Sequence, residues 1–503
     1  MHAKMRIIPF LFNGLQELFV TSSGPTSFFW FDFETTGTDP ARDRPMQFAG
    51  IRTDLDFNPI GEPIMFYCRL AEDVLPQPEA CLLTGISPQD ANREGLCEAE
   101  FMQAVEAELS QPGTCALGYN TIRFDDEVVR YGFYRNFIDP YAREWQNNCS
   151  RWDMIDLVRM TYAMRPEGIV WPKNEDGQVS MKLEALTKAN GIAHEQAHDA
   201  LSDVYGTIEI AKLIRSKQPK LFAYYFKMRQ KYELQQFIDV ARLKPFLHIS
   251  GMFGQAKNYA AFVVPVAPHP TNKNGVIVFD LMADAQPLID LSVDEIRHRV
   301  FTRQEELGDL ERLPLKVIHY NKSPAVAPAT FLKDADVVKR LELDGAVCRH
   351  NLAIIKGDAG LAAKLSDVFM QEDRPIHKDP DVMLYSGGFF SREDRVRMEK
   401  IRSTPASHLS ELAMSFDDRR LPEMLMRYIG RNYPDQLSEQ QQFEWEEYRQ
   451  VRLLEKDGGG SINMEQYFER LNQIAQTPDL PAAKQIMLQD LADYAQSIYP
   501  IPL

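Results

Sequence analysis

The stretch Phe28-Phe29-Trp30-Phe31-Asp32-Phe33-Glu34 constrains this chain more than any other. Five aromatic side chains within six positions suit a strand buried on both faces, in the centre of a sheet. The strand then ends on two acids two residues apart, and residues i and i+2 of a strand point to one face. Asp32 and Glu34 therefore leave the core side by side. Neighbouring carboxylates in a poorly hydrated site repel one another, and a divalent cation is the natural offset. Oxygen-only ligands favour Mg²⁺ or Mn²⁺ over zinc. Thr36-Gly37-Thr38-Asp39-Pro40 breaks the strand just beyond. The bland alternative is a pair of exposed acids at a strand end.

Two further pieces carry acids in informative places. Tyr119-Asn120-Thr121-Ile122-Arg123-Phe124-Asp125 follows a short strand, Thr114–Gly118, and opens a helix over Phe124–Asn136. Asp125 falls in its first turn, where the helix dipole favours a carboxylate. Plain first-turn acids at Asp125, Asp126 and Glu127 are the alternative. His198-Asp199-Ala200-Leu201-Ser202-Asp203 opens a helix over Ala200–Ser216, with Leu201, Val204, Ile208 and Ala211 as its apolar stripe. Asp203 lies off that stripe, near the small residues Gly206 and Thr207, which leave room for a metal and a phosphate. His198, just ahead of the helix, is suited to take a proton from an attacking water near neutral pH. A surface histidine followed by a capping Asp199 is the alternative.

The rest of the chain reads as an α/β layer followed by two further units. Met46–Asp54 and Ile64–Leu70 form a predicted hairpin, and Ser87-Pro88 starts a helix. Trp152–Met164 and Met181–Ala189 carry helical periodicity. After Gln218-Pro219 the segment from Phe246 to Leu281 is rich in short strands. Asn274-Gly275 lies between Phe262–Ala267 and Val276–Asp280 as a hairpin signal, and Leu315–His319 is another strand. From about Pro375 the pattern is helical, with a capping-type start at Ser391 and helices over Gln440–Leu454, Met464–Ala475 and Ala482–Ser497. A length of 503 residues fits about three domains.

Composition narrows the function classes. A net charge of −16 argues against nucleic-acid binding by bulk charge, so any nucleic-acid path must be a local basic stripe. No apolar run of about 18 residues is present, so no membrane span is expected. Six cysteines without C-x-x-C pairing read as reduced thiols in a cytoplasmic protein. Residues 1–26 hold a short apolar run broken by Pro9. They resemble a secretion signal only weakly, and the expectation is a disordered or mis-assigned extension.

Taken in order, D-x-E, N-x-x-x-F-D and H-x-x-x-x-D, with Leu83-Thr84-Gly85-Ile86, resemble the DEDD exonuclease superfamily, histidine subtype. Gly118-Tyr119-Asn120, Ser150-Arg151-Trp152-Asp153, Leu186-Thr187-Lys188-Ala189-Asn190-Gly191 and Leu247-His248-Ile249-Ser250-Gly251-Met252-Phe253-Gly254 are further similar to the bacterial exodeoxyribonuclease I family. The resemblance runs from about residue 28 to the C-terminus and weakens after about residue 390. It implies an α/β ribonuclease-H-like nuclease domain over 27–217, an SH3-like β-rich domain over 218–372 and a helical C-terminal domain over 376–503.

The reaction implied is 3′→5′ removal of 5′-mononucleotides from single-stranded DNA, in DNA repair and recombination. Two Mg²⁺ ions (Mn²⁺ as an alternative) are implied, with Asp32, Glu34 and Asp203 as metal ligands, Asp125 acting through water and His198 as general base. Glu34 and Lys182 are the implied substrate-binding residues; Lys182 departs from the family, which carries arginine there. Arg130, Tyr141, Trp145 and Arg159 match DNA-contacting positions. Arg165 and Tyr224 match positions that hold the acidic tail of single-stranded DNA-binding protein. A monomer without membrane attachment is expected. Three rival readings are an RNA-trimming member of the superfamily, a binding module with a dead site, and a structural adaptor of repair complexes.

Overall fold

The computed structural model describes residues 24–193, 199–370, 377–412 and 414–500. The aromatic run forms strand β1, Ser27–Thr35. Its alternation divides the aromatics between two cores. Phe29, Phe31 and Phe33 pack with Phe48 and Phe101 on one face, while Phe28 and Trp30 join Trp152 and Val204 on the other. β1 pairs antiparallel with β2, Pro45–Thr53, which pairs with β3, Ile64–Tyr67. On its other side β1 runs parallel to β4, Thr114–Gly118, and β4 to β5, Ser150–Asp153. The order β3-β2-β1-β4-β5 puts the aromatic strand in the middle, as its hydrophobicity requires.

One expectation is corrected here. Helical periodicity from Trp152 hides strand β5, and the helix begins only at Met154 and runs to Met164. Asp153 ends the strand and caps the helix, its side chain accepting from the Ile155 N–H. Thr26, inside the expected N-terminal extension, already donates its N–H to Gly113 O at 2.8 Å; the extension's residues 1–23 lie outside the described residues.

A second sheet has the order β10-β6-β7-β8-β9 and is antiparallel throughout. Its strands are β6 (Phe246–Ile249), β7 (Ala260–Pro268), β8 (Gly275–Asp280), β9 (Leu315–His319) and β10 (Ala325–Pro328). The expected hairpin around Asn274-Gly275 is β7–β8. This sheet shares a hydrophobic core with the first through Trp152, Phe222 and Tyr225. Tyr225 donates to Ser323 O at 2.8 Å, and Arg151 donates to Asn321 O at 2.8 Å.

The C-terminal region is helical, with Ser391 capping Arg392–Ser403 as read. It is joined to the segment after β3 by buried ion pairs of Asp73, which meets Arg431 at 2.9 Å and Arg452 at 3.3 Å; within the C-terminal region Asp381 meets Arg431 at 2.6 Å and Arg427 at 2.9 Å. Among the described residues, no helix is long and apolar enough to cross a membrane.

Candidate active site

β1 delivers the first two acids. Asp32 lies opposite Ala49 and Glu34 opposite Gln47, and the register shifts between Glu34 and Thr35. A bulge at a strand end bends the strand and re-aims its side chains, here just past the acidic pair. The helix Ala200–Lys217 packs across β1 and β2 and brings Asp203 to the same place. Its first turn is fixed by Asp199, whose carboxylate accepts from Ser202 N–H at 3.1 Å. Gly206 and Thr207 are buried, and the Thr207 hydroxyl bonds back to Asp203 O at 2.8 Å.

Asp32, Glu34 and Asp203 each offer a carboxylate oxygen, and these atoms lie within 4.8 Å of one another. Asp125 completes the group. β4 ends at Gly118 while β1 continues, so the Phe33 N–H has no partner strand there; Asp125 Oδ1 accepts it at 3.1 Å. The helix Asp125–Arg135 is preceded by a tight turn in which Asn120 takes φ 69°. Asp153 holds that turn by accepting from Asn120 N–H at 2.8 Å and Ile122 N–H at 3.1 Å. Burial pushes the Asp153 carboxyl up to about 7. Its only sequence signal was its place in the family-like segment Ser150-Arg151-Trp152-Asp153, which gave no hint that it anchors the Asp125 loop. His198 lies outside the described residues.

The electrostatics are those of a site waiting for positive charge. Burial, then Asp125, Glu34 and Asp203, raise the Asp32 carboxyl well above its usual range. Burial and the charges of Asp203 and Asp125 push Glu34 to about 8. Burial likewise raises Asp125. Such crowding is costly without a counter-ion and matches an all-oxygen site for a hard divalent cation.

Beneath the site runs a buried charge network. Asp126 pairs with Arg143 and, at 2.9 Å, with Arg151. Arg151 meets Glu144 at 3.3 Å, and Arg130 bonds Glu144 at 2.7 Å and Glu127 at 2.8 Å. Arg130 is therefore buried and engaged by acids, with its guanidinium 5.5 Å above the Tyr141 ring. Tyr141 is half-buried, and Trp145 is 66% exposed. Arg159 is buried against Gly251 and pairs with Asp156 at 2.7 Å, but its Nε has no hydrogen-bond partner among the described residues. Lys182 is exposed, directly before the helix Leu183–Ala189. Arg165 pairs with Asp334 at 3.0 Å. Tyr224 is half-buried, its hydroxyl without a hydrogen-bond partner among the described residues.

Three family models cover the chain: Exonuclease over residues 29–211, Exonuclease I SH3-like domain over 229–371 and Exonuclease I C-terminal domain over 378–498. The exodeoxyribonuclease I of Haemophilus influenzae is 48% identical over 430 residues, covering 85% of this chain and 90% of the relative. The chain belongs to the exodeoxyribonuclease I family. It is thereby an exonuclease, a hydrolase. The crystal structure of Escherichia coli exonuclease I in complex with a dA16 oligonucleotide superposes with TM-score 0.90 at 43% identity, covering 94% of this chain and 100% of that one. A zinc-bound form of the E. coli exonuclease I–single-stranded DNA complex superposes with TM-score 0.89 at 43% identity, covering 94% and 99%. The three units expected from the sequence are those of the exodeoxyribonuclease I family, in the same order.

Proposed function

We propose that this member of the exodeoxyribonuclease I family removes 5′-mononucleotides from the 3′ end of single-stranded DNA, in DNA repair and recombination. The observation that carries the reading is the convergence of Asp32, Glu34 and Asp203 within 4.8 Å, beside Asp125. When bound, two divalent cations, Mg²⁺ in this reading, supply charge stabilisation at the scissile phosphate and a more acidic water. Asp32, Glu34 and Asp203 would hold them. Asp125 orders the end of β1 through Phe33 and adds negative charge to the group. In hydrolysis the water oxygen bonds to phosphorus, the P–O3′ bond breaks, and O3′ of the shortened strand gains a proton. His198 is the assigned acceptor of the water's proton.

The strand is gripped by aromatic stacking and cations, a sequence-tolerant mode. Trp145 and Tyr141 supply the rings, while Arg130, Arg159 and Lys182 supply charge; Glu34 also contacts the terminal nucleotide. The exposure of Trp145 supports this, and so does the buried Nε of Arg159, which has no hydrogen-bond partner among the described residues. Arg165 and Tyr224 are assigned to the acidic tail of single-stranded DNA-binding protein, and the protein acts as a monomer. All six cysteines are free and buried, which supports a cytoplasmic location.

The test is a time course on single-stranded DNA labelled at either end, with Mg²⁺ or with EDTA. Mononucleotides released from the 3′ end, with Mg²⁺ only, are expected. Release from the 5′ end, or digestion in EDTA, sinks the reading.

A further inference from the structure

A cleft of about 900 Å³ opens directly beside Glu34. One wall belongs to the nuclease unit, with Phe33, Thr38, Arg42 and Leu83. The opposite wall comes from the C-terminal region, with Lys456, Gly460, Ser461 and Arg470. None of Arg130, Tyr141, Trp145, Arg159 and Lys182 lines it, so it meets the proposed strand path only at Glu34, beside the terminal nucleotide. The far wall is a built surface. A Cβ on Gly458 would fall 1.9 Å from Val451 O, and Gly459 takes φ 95°, so the turn after Lys456 needs glycine. Asp43, 5% exposed, lines the same cleft. Its Oδ1 and the Ser461 Oγ are both buried without a well-formed hydrogen bond.

Charge in the cleft is unevenly committed. The lining holds the acids Glu34, Asp39, Asp43, Glu79 and Asp457 against the bases Arg42, Lys456 and Arg470; Arg42 pairs with Asp39 at 2.8 Å, and Arg470 with Glu79. Lys456 is exposed and has no ion-pair partner among the described residues. Hydrolysis leaves the phosphate on the 5′ oxygen of the released nucleotide, which departs carrying about −1.5 to −2 charges. The product needs a way out of the site and a cation that offsets its charge.

We propose that the cleft between Glu34 and the Lys456–Ser461 turn is the exit path of the released nucleoside 5′-monophosphate, with Lys456 as the side chain that receives its phosphate. The proposal rests on the exonuclease reading above. It gives the C-terminal region a part in turnover, because each released nucleotide must clear before the strand advances.

The experiment is inhibition of single-stranded DNA digestion by added dAMP, alongside equilibrium binding of a 3′-ended oligonucleotide in Ca²⁺. Lys456→Glu and Lys456→Ala are compared with wild type and with Lys484→Glu, an exposed lysine outside the cleft. The expected result is a rise of roughly two- to fivefold in the dAMP inhibition constant for Lys456→Ala, the size of one exposed charge contact, and more for Lys456→Glu. Oligonucleotide affinity and the Lys484→Glu constants stay at wild-type values. An unchanged dAMP constant in both Lys456 variants overturns the exit path, as does an equal change in Lys484→Glu or an equal loss of oligonucleotide affinity. Wild-type protein that releases no mononucleotide refutes the exonuclease reading instead.

Discussion

The Asp125 carboxylate accepts the Phe33 backbone N–H at 3.1 Å, tying a helix start to the strand that carries Asp32 and Glu34. This bond closes the gap left where β4 stops short of β1. It also makes Asp125 structural and chemical at once, and the two parts separate by substitution. Asp125→Asn keeps an acceptor for Phe33 and relieves repulsion among the acids. Its melting temperature should equal or exceed wild type without metal, while digestion falls at least about 100-fold. Asp125→Ala leaves the N–H unpaired and should cost about 1–3 kcal/mol in addition. Thermal melts beside initial rates check both; an active Asp125→Asn removes the residue from the mechanism.

Glu34 sets a pH dependence. Its carboxyl is raised from 4.5 to about 8, so between these values the folded state binds more protons than the unfolded state. Metal-free stability should therefore fall as pH rises from about 4.5 to about 8. Glu34→Gln should flatten that decline. Mg²⁺ at pH 8 should raise the melting temperature of wild type, by preferential binding to the folded state, and barely move the variant. Scanning fluorimetry across pH, with EDTA or Mg²⁺, distinguishes these outcomes.

Asp126 has the opposite sign. Burial pushes its carboxyl up, but Arg143 and Arg151 outweigh this and hold it below the usual range. Its contribution is complete above its unfolded value of about 3.8 and is lost as the pH falls through the lowered folded value. Asp126→Ala strands two buried guanidinium groups and should cost about 3–5 kcal/mol in urea denaturation at neutral pH. A loss below 1 kcal/mol would show that the arginines find other partners.

Trp145 is 66% exposed, so Trp145→Ala should leave the melting temperature within about 2 °C. Loss of one stacking platform should weaken single-stranded DNA binding by about 1–3 kcal/mol, roughly 5- to 150-fold. Fluorescence anisotropy measures this directly. Equal affinity for variant and wild type removes Trp145 from the strand path.

Much of this site is legible in the sequence because its signals are local. The period-two alternation of β1 assigns Phe29, Phe31 and Phe33 to one core and Asp32 and Glu34 to the opposite face. Ser87 and Ser391 announce helix starts and cap as read, and Asp199, named as a cap only in the alternative reading, caps the Asp203 helix. β5 was hidden for an equally local reason: four residues leading straight into a helix carry too few side chains to show a period. Arg130 matches a DNA-contacting position in the sequence, but is enclosed by Glu127 and Glu144 from two segments.

The sequence by itself determined where the buried strand runs, which acids end it and which residues open the helices, since each depends on neighbours within a few positions. Only the tertiary structure decided that Asp203 meets Asp32 and Glu34, that Asp125 completes β1, and that Lys456 and Arg470 face Glu34 across a cleft. Those relationships join residues tens to hundreds of positions apart. They are set by how sheets and helices pack and by which charges can be buried together, and no local pattern encodes such packing.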